Sequence, residues 1–246
     1  CLAKVKILTT TLLVVSCSGV PEGGFCPDTI DDAIDLIEDL PGGDPLDSSD
    51  ITQSPDSSVA NARSGPGLFS GIHVTLYPLT IASAYEDELR PRGGLCSSYG
   101  VGLLAATLYH ERIHACFQRA HGEEYGHDEC NNPYSCLHLA IDNQVHKELC
   151  HLVGLLQAAP EPDSDLIEGL CARICSLEKK WNTSDYNDLF GAPPPPDRAR
   201  ECASPGGGPC PVPFPNECGI LPGDVYPQPE EGTNKILGHC DKCECH

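Results

Sequence analysis

Positive charge is scarce in this sequence. The chain has 15 lysines and arginines against 36 aspartates and glutamates, a formal net charge of −21 at pH 7. A charge of this sign repels nucleic acid and anionic lipid surfaces at long range, so neither is expected as a partner. Because the acidic residues are spread along the chain, we interpret them as a solvated surface and not as an acidic tail.

Several motifs are also missing. The sequence has no G-x-S-x-G motif and no phosphate-binding glycine loop. A serine hydrolase and a nucleotide-dependent enzyme are therefore not predicted. Methionine is absent altogether. The apolar run at residues 7–15, "ILTTTLLVV", is too short to span a membrane as a stable helix.

Cysteine, in contrast, is abundant. A chain with 16 cysteines is typical of an oxidising compartment, where most of them form disulfides. Lys4 and Lys6 precede the apolar run, an arrangement that predicts an export signal over residues 1–17. The last four residues of this signal, "VVSC", are similar to a bacterial lipobox, which would place a lipid anchor on Cys17. We expect a secreted or extracytoplasmic protein, attached to a membrane only through such an anchor.

The composition divides the rest of the chain into three parts. Residues 18–66 are predicted to form a short amphipathic helix followed by an acidic linker rich in Ser, Pro and Gly. Residues 67–190 contain the periodic apolar patterns expected of a folded domain. Residues 191–246 are so rich in Pro and Gly that we predict an irregular tail held by disulfides.

Helical periodicity dominates the central part. It predicts one helix from residue 100 to about 120, a second over residues 136–157 and a third over residues 163–181. Before them, the stretch "LFSGIHVTLYPLTI" mixes β-branched and aromatic residues and predicts one or two strands. The expected fold class is therefore α+β and helix-rich.

The first of these long helices carries the pentad "HERIH". His110 and His114 are four residues apart, so a helix presents both imidazoles on one face, where they can bind one metal ion. Glu111 is rotated by about 100° from His110, beside the pair. This places its carboxylate next to a zinc-bound water, which it can deprotonate before passing the proton to a leaving amine.

The pentad resembles the active-site motif H-E-x-x-H of the zincin metallopeptidases. The resemblance implies a zincin-like domain in which the pentad helix packs on a second helix that carries a further ligand. One branch of the zincins has a longer motif, with a glycine and a third histidine at the positions that Phe117 and Ala120 occupy here. That branch also requires a methionine turn, so a chain without methionine does not fit it. The remaining branches take an acidic third ligand from a later helix, and this is the branch that the sequence fits.

The second helix offers that ligand. In the segment "LAIDNQVH", Asp142 stands in the place of the acidic ligand, with His138 one turn before it and His146 one turn after it. We rank Asp142 first as the third zinc ligand, then His146, then His138. Residues of the intervening loop follow them: His121, Glu123, Glu124 and His127.

The C-terminal sequence "GHCDKCECH" has cysteines at spacings that also suit a metal site. In a chain with this many cysteines and an export signal, disulfides are the favoured interpretation. Cys116 and Cys150 lie on the two helices that carry the candidate ligands, and disulfides from them would staple these helices.

The sequence therefore predicts an exported zinc metallopeptidase that acts on protein or peptide substrates. Its zinc ligands would be His110, His114 and Asp142, and Glu111 would be the general base. The alternative is a non-catalytic extracellular domain, held by disulfides, in which the pentad is coincidental or a degenerate metal site.

Overall fold

The structure is a computed structural model that describes residues 23–58, 60–66, 72–121, 136–182, 218 and 237–245. The predicted export signal and Cys17 lie outside these residues, as do Glu123, Glu124 and His127. The described helices are α1 (Pro27–Ile37), α2 (Pro78–Ala84), α3 (Glu86–Arg92), α4 (Ser98–His121), α5 (Cys136–Gln157) and α6 (Ser164–Asn182). Short 3-10 turns cover Ser48–Asp50 and Gly94–Cys96. The helix-rich α+β class is confirmed, and no helix among the described residues is long and apolar enough to cross a membrane.

The sheet is small and has three strands, β1 (Ile51–Gln53), β2 (Ala62–Pro66) and β3 (Ile72–Leu76), in the order β1-β3-β2. β3 pairs in parallel with β1 and antiparallel with β2. The first two strands lie in the stretch predicted to be a linker. Their own sequences contain few large apolar residues, and their pairing with β3, whose Val74 and Leu76 are fully buried, makes them strands.

Helix α4 lies at the centre of the fold. It packs against α1, α5, α6 and strand β2. Because it has neighbours on nearly every side, most residues from Val101 to Cys116 are buried, including polar ones. Of the three histidines in the site described below, one is therefore buried and two are partly exposed.

A close helix crossing fixes α6 against α4. A Cβ atom on Gly169 of α6 would lie 2.2 Å from the carbonyl oxygen of Tyr99, and one on Gly102 of α4 would lie 2.4 Å from that of Leu166. Only glycine allows the two backbones to approach so closely. Asp163 caps the start of α6, where its side chain accepts a hydrogen bond from the backbone N–H of Leu166 at 3.0 Å.

The predicted disulfide-bonded tail is confirmed for the described residues. Cys116 is bonded to Cys218 and Cys150 to Cys240, so both helices are stapled to the C-terminal tail and not to each other. Two further disulfides join α6 to the end of the tail, Cys171–Cys243 and Cys175–Cys245, and Cys26–Cys96 closes the N-terminal part. This number of disulfides is consistent with an oxidising compartment.

Candidate metal centre

Three histidines converge where α4 meets the first turn of α5. His110 and His114 project from α4 and His138 from α5, and one ligand-type nitrogen of each lies within 4.8 Å of the others. The Nε2 atoms of His114 and His138 are 3.3 Å apart. Two ligands at about 2.0 Å from a tetrahedral zinc ion lie roughly 3.3 Å apart, so this spacing fits a shared ion.

The ring of His110 is oriented by a buried carboxylate. Its Nδ1 atom lies 3.0 Å from Oδ1 of Asp142, whose side chain is only 1% exposed. With Nδ1 engaged, Nε2 is the nitrogen that can bind an ion. Metal-binding histidines commonly use their second nitrogen in this way, because the carboxylate fixes both the tautomer and the ring orientation.

Asp142 is in turn held by two residues of α6. Its Oδ2 atom accepts hydrogen bonds from Lys180 Nζ at 2.6 Å and from Trp181 Nε1 at 2.8 Å. Burial alone would raise the pKa of Asp142, but the ion pair with Lys180 and the hydrogen bond with His110 outweigh it and keep the pKa far below its ordinary value. The carboxylate is therefore ionised, and its two oxygens are engaged by His110 and α6.

His114 is neutral in this environment. Burial, reinforced by the imidazoles of His138 and His110, lowers the pKa of His114 well below its ordinary value. A neutral imidazole keeps a lone pair for a metal. Its Nδ1 atom is buried and has no hydrogen-bond partner in the part of the chain that the structure describes.

Glu111 lies beside this cluster on α4 and is 7% exposed. Within the described ranges, its carboxylate has no hydrogen bond or ion pair. A carboxylate without a structural partner remains available to a water or a substrate.

The third residue of the pentad, Arg112, has a structural role. Arg112 is buried and points away from the histidines toward the end of α1, where its guanidinium donates hydrogen bonds to the backbone carbonyls of Ile37, Leu40 and Gly42. A cation at this position adds hydrogen bonds to the last carbonyl of α1 and to carbonyls of the segment that follows it. Arg112 therefore anchors α1 to the helix that carries the site.

The structure thus brings together His110, His114 and His138, which the sequence ranks third as a candidate ligand, and Glu111 follows His110 on α4 without being part of this group. Asp142 lies next to the cluster, where its carboxylate contacts Nδ1 of His110. His146 is directed elsewhere, since its Nε2 atom lies 2.9 Å from Oε1 of Glu178. The sequence pattern does not indicate that Lys180 or Trp181 belongs to the site, because both donate hydrogen bonds to Asp142 from 38 or more residues away in the chain.

Comparisons with known proteins leave the site as the basis for any functional conclusion. No protein-family model matches the chain, and neither the curated proteins nor the solved structures contain a match. From the fold and the side chains, we conclude that three histidines form a group that could hold a metal ion.

Proposed function

We propose that this protein is an exported zinc-dependent peptidase with a zincin-like catalytic domain. Its zinc ligands are His110, His114 and His138, and Glu111 is the general base. The observation that supports this proposal is the convergence of three imidazoles, next to a glutamate of the pentad helix whose carboxylate has no hydrogen bond or ion pair among the described residues.

The donor set favours zinc among the common metals. Three imidazole nitrogens are typical of catalytic zinc sites, which keep a fourth position open, whereas calcium and magnesium prefer oxygen ligands. A zinc ion bound there would polarise a substrate carbonyl and lower the pKa of a water molecule toward neutrality.

His138 replaces Asp142 as our choice of third ligand. Asp142 already accepts hydrogen bonds from His110, Lys180 and Trp181, and it serves the site by orienting His110. The Nε2 atom of His138, in contrast, lies at ligand-to-ligand distance from that of His114.

Glu111 carries out the proton transfers of the reaction. It follows His110 directly on α4, so its side chain lies beside the ligand pair and not in line with it. From there the carboxylate takes a proton from the attacking water and returns it to the nitrogen of the departing amine.

The test combines zinc content with hydrolysis of an unfolded protein such as casein. Glu111→Gln is expected to retain one zinc per chain and to lose hydrolysis by about 100-fold or more, the usual contribution of a general base. Glu161→Gln, an exposed glutamate outside the site, is the matched control and keeps full activity. A purified protein without zinc at neutral pH, or full activity in Glu111→Gln, contradicts the proposal.

A further inference from the structure

A second group of ligand-type side chains lies where the C-terminal segment, residues 237–245, packs on α6. Glu178 of α6 and His239 and Cys245 of the segment each place one ligand atom within 4.8 Å of the others. Cys245 is bonded to Cys175, which lies three residues before Glu178 on α6. Residues three apart share a helix face, so the helix and the segment each contribute two ligand-type groups.

The carboxylate and the imidazole already face each other. His239 Nδ1 lies 2.9 Å from Oε2 of Glu178, while Oε1 accepts the backbone N–H of Cys240 at 2.7 Å. A metal ion can take the place of the proton shared by Nδ1 and Oε2. Ligands of a tetrahedral zinc with bonds of about 2.0 Å lie roughly 3.3 Å apart, so a movement of a few tenths of an ångström is enough.

The sulfur atoms become ligands only when the disulfide opens. Neither Cys175 nor Cys245 is buried, whereas each of the other described disulfides contains at least one buried cysteine. Thiol–disulfide exchange requires direct access to a sulfur atom. A dissolved dithiol can therefore approach Cys175–Cys245 from either cysteine; Cys96 of the Cys26–Cys96 disulfide is also exposed.

Opening this bond does not release the segment. Cys243 remains bonded to Cys171, and Cys240 to Cys150. The thiol of Cys245 is two residues from one of these anchors, so it stays close to Cys175, Glu178 and His239. A preassembled set of ligands binds metal without the entropic cost of ordering a free chain end.

We propose that Cys175, Glu178, His239 and Cys245 form a zinc site that is the reduced alternative to the Cys175–Cys245 disulfide. A dithiol gives two electrons and two protons to the disulfide and becomes a cyclic disulfide itself, leaving two cysteine thiols. Zinc then displaces the two thiol protons, while the proton on Nδ1 of His239 is replaced by one on Nε2. The metal keeps the segment on α6 when the disulfide is lost. Two cysteines, a histidine and a carboxylate are all accepted zinc ligands.

The test uses a variant that frees one thiol without a reductant. Cys175→Ala leaves Cys245 unpaired next to Glu178 and His239, and it is expected to bind one zinc per chain more than the unchanged protein. With cobalt(II) in place of zinc, the new site gives a thiolate charge-transfer band. The matched control is Cys171→Ala, which frees Cys243; within the described residues Cys243 belongs to no comparable ligand group, so neither signal is expected.

A second variant links the extra zinc to the predicted ligands. His239 is 54% exposed, so adding His239→Ala to Cys175→Ala leaves the fold intact by far-ultraviolet circular dichroism while the extra zinc and the cobalt band disappear. When peptide mapping shows that the two thiols of the partly reduced, otherwise unchanged protein are Cys175 and Cys245, this protein gains one zinc that protects both thiols from alkylation. No extra zinc in Cys175→Ala, or an extra zinc that survives His239→Ala, overturns the proposal. Because the readout is additional zinc, the result does not depend on the three-histidine site.

Discussion

Nδ1 of His110 lies 3.0 Å from a carboxylate oxygen of Asp142, a residue of α5 that is almost completely buried. Because Asp142 orients a ligand, Asp142→Asn is expected to weaken zinc binding by about 10- to 100-fold. Competition with a chelator measures the affinity, and circular dichroism checks that the variant is folded. An unchanged affinity in a folded Asp142→Asn protein would show that this hydrogen bond does not support the site.

The identity of the third ligand can be tested with two histidines of α5. His138→Ala is expected to lose stoichiometric zinc, because two protein ligands do not hold the ion tightly. His146→Ala is expected to keep it, since His146 contacts Glu178 and not the cluster. Zinc content after dialysis at neutral pH separates the two. The opposite pattern would assign the ligand to His146.

The support that α6 gives to Asp142 predicts a loss of stability when Lys180 is removed. Lys180→Met leaves a buried carboxylate without its cation and is expected to lower the free energy of unfolding by about 2–3 kcal/mol. Lys242→Met is the control, because Lys242 is exposed and its ion pair with Asp241 lies on the surface, so it should change stability by less than about 1 kcal/mol. Urea unfolding of the zinc-free protein measures both. Equal effects would indicate that the ion pair with Asp142 contributes little.

The crossing of α4 and α6 predicts that Gly169→Ala destabilises the protein by about 1–3 kcal/mol, because the new methyl group forces the backbones apart. Gly154→Ala on α5 is the matched control. There the Cβ atom meets only the side chain of Lys242 at 3.7 Å, so the higher helix propensity of alanine should leave the protein equally or more stable. Thermal unfolding distinguishes the two variants, and a tolerated Gly169→Ala would contradict the close crossing.

The contacts of Glu178 predict that the folded protein loses stability in acid. Burial alone would raise the pKa of Glu178, but hydrogen bonds from His146, His239 and the backbone of Cys240 hold it below its ordinary value. A carboxyl group with a lowered pKa stabilises the fold above its unfolded pKa, near 4.3, and this contribution disappears as the pH falls through the folded value. The difference in unfolding free energy between the unchanged protein and Glu178→Gln should therefore be full at neutral pH and shrink in acid. If the difference in unfolding free energy stays constant from neutral to acid pH, the pKa of Glu178 is not lowered in the folded protein.

Several features of the fold follow from local sequence. Helix α5 covers the residues that its apolar stripe predicts, and α4 and α6 match their predictions to within two residues at each end. Periodicity reports which face of a helix is buried, and this information is contained in neighbouring residues. The pairing of His110 with His114 is local for the same reason. The linker prediction failed for β1 and β2, because their strand conformation depends on pairing with β3.

The sequence by itself determined the pentad helix, its phase and the disulfide-rich character of the chain. The tertiary structure decided which side chains complete the site. His138 and Asp142 are four residues apart on one helix face, so their spacing alone does not tell which one faces the cluster. That choice depends on how α5 lies against α4 and on Lys180 and Trp181 of α6, which engage Asp142 and leave His138 beside His114. Contacts between helices distant in the chain are set by packing, and packing is a property of the whole fold.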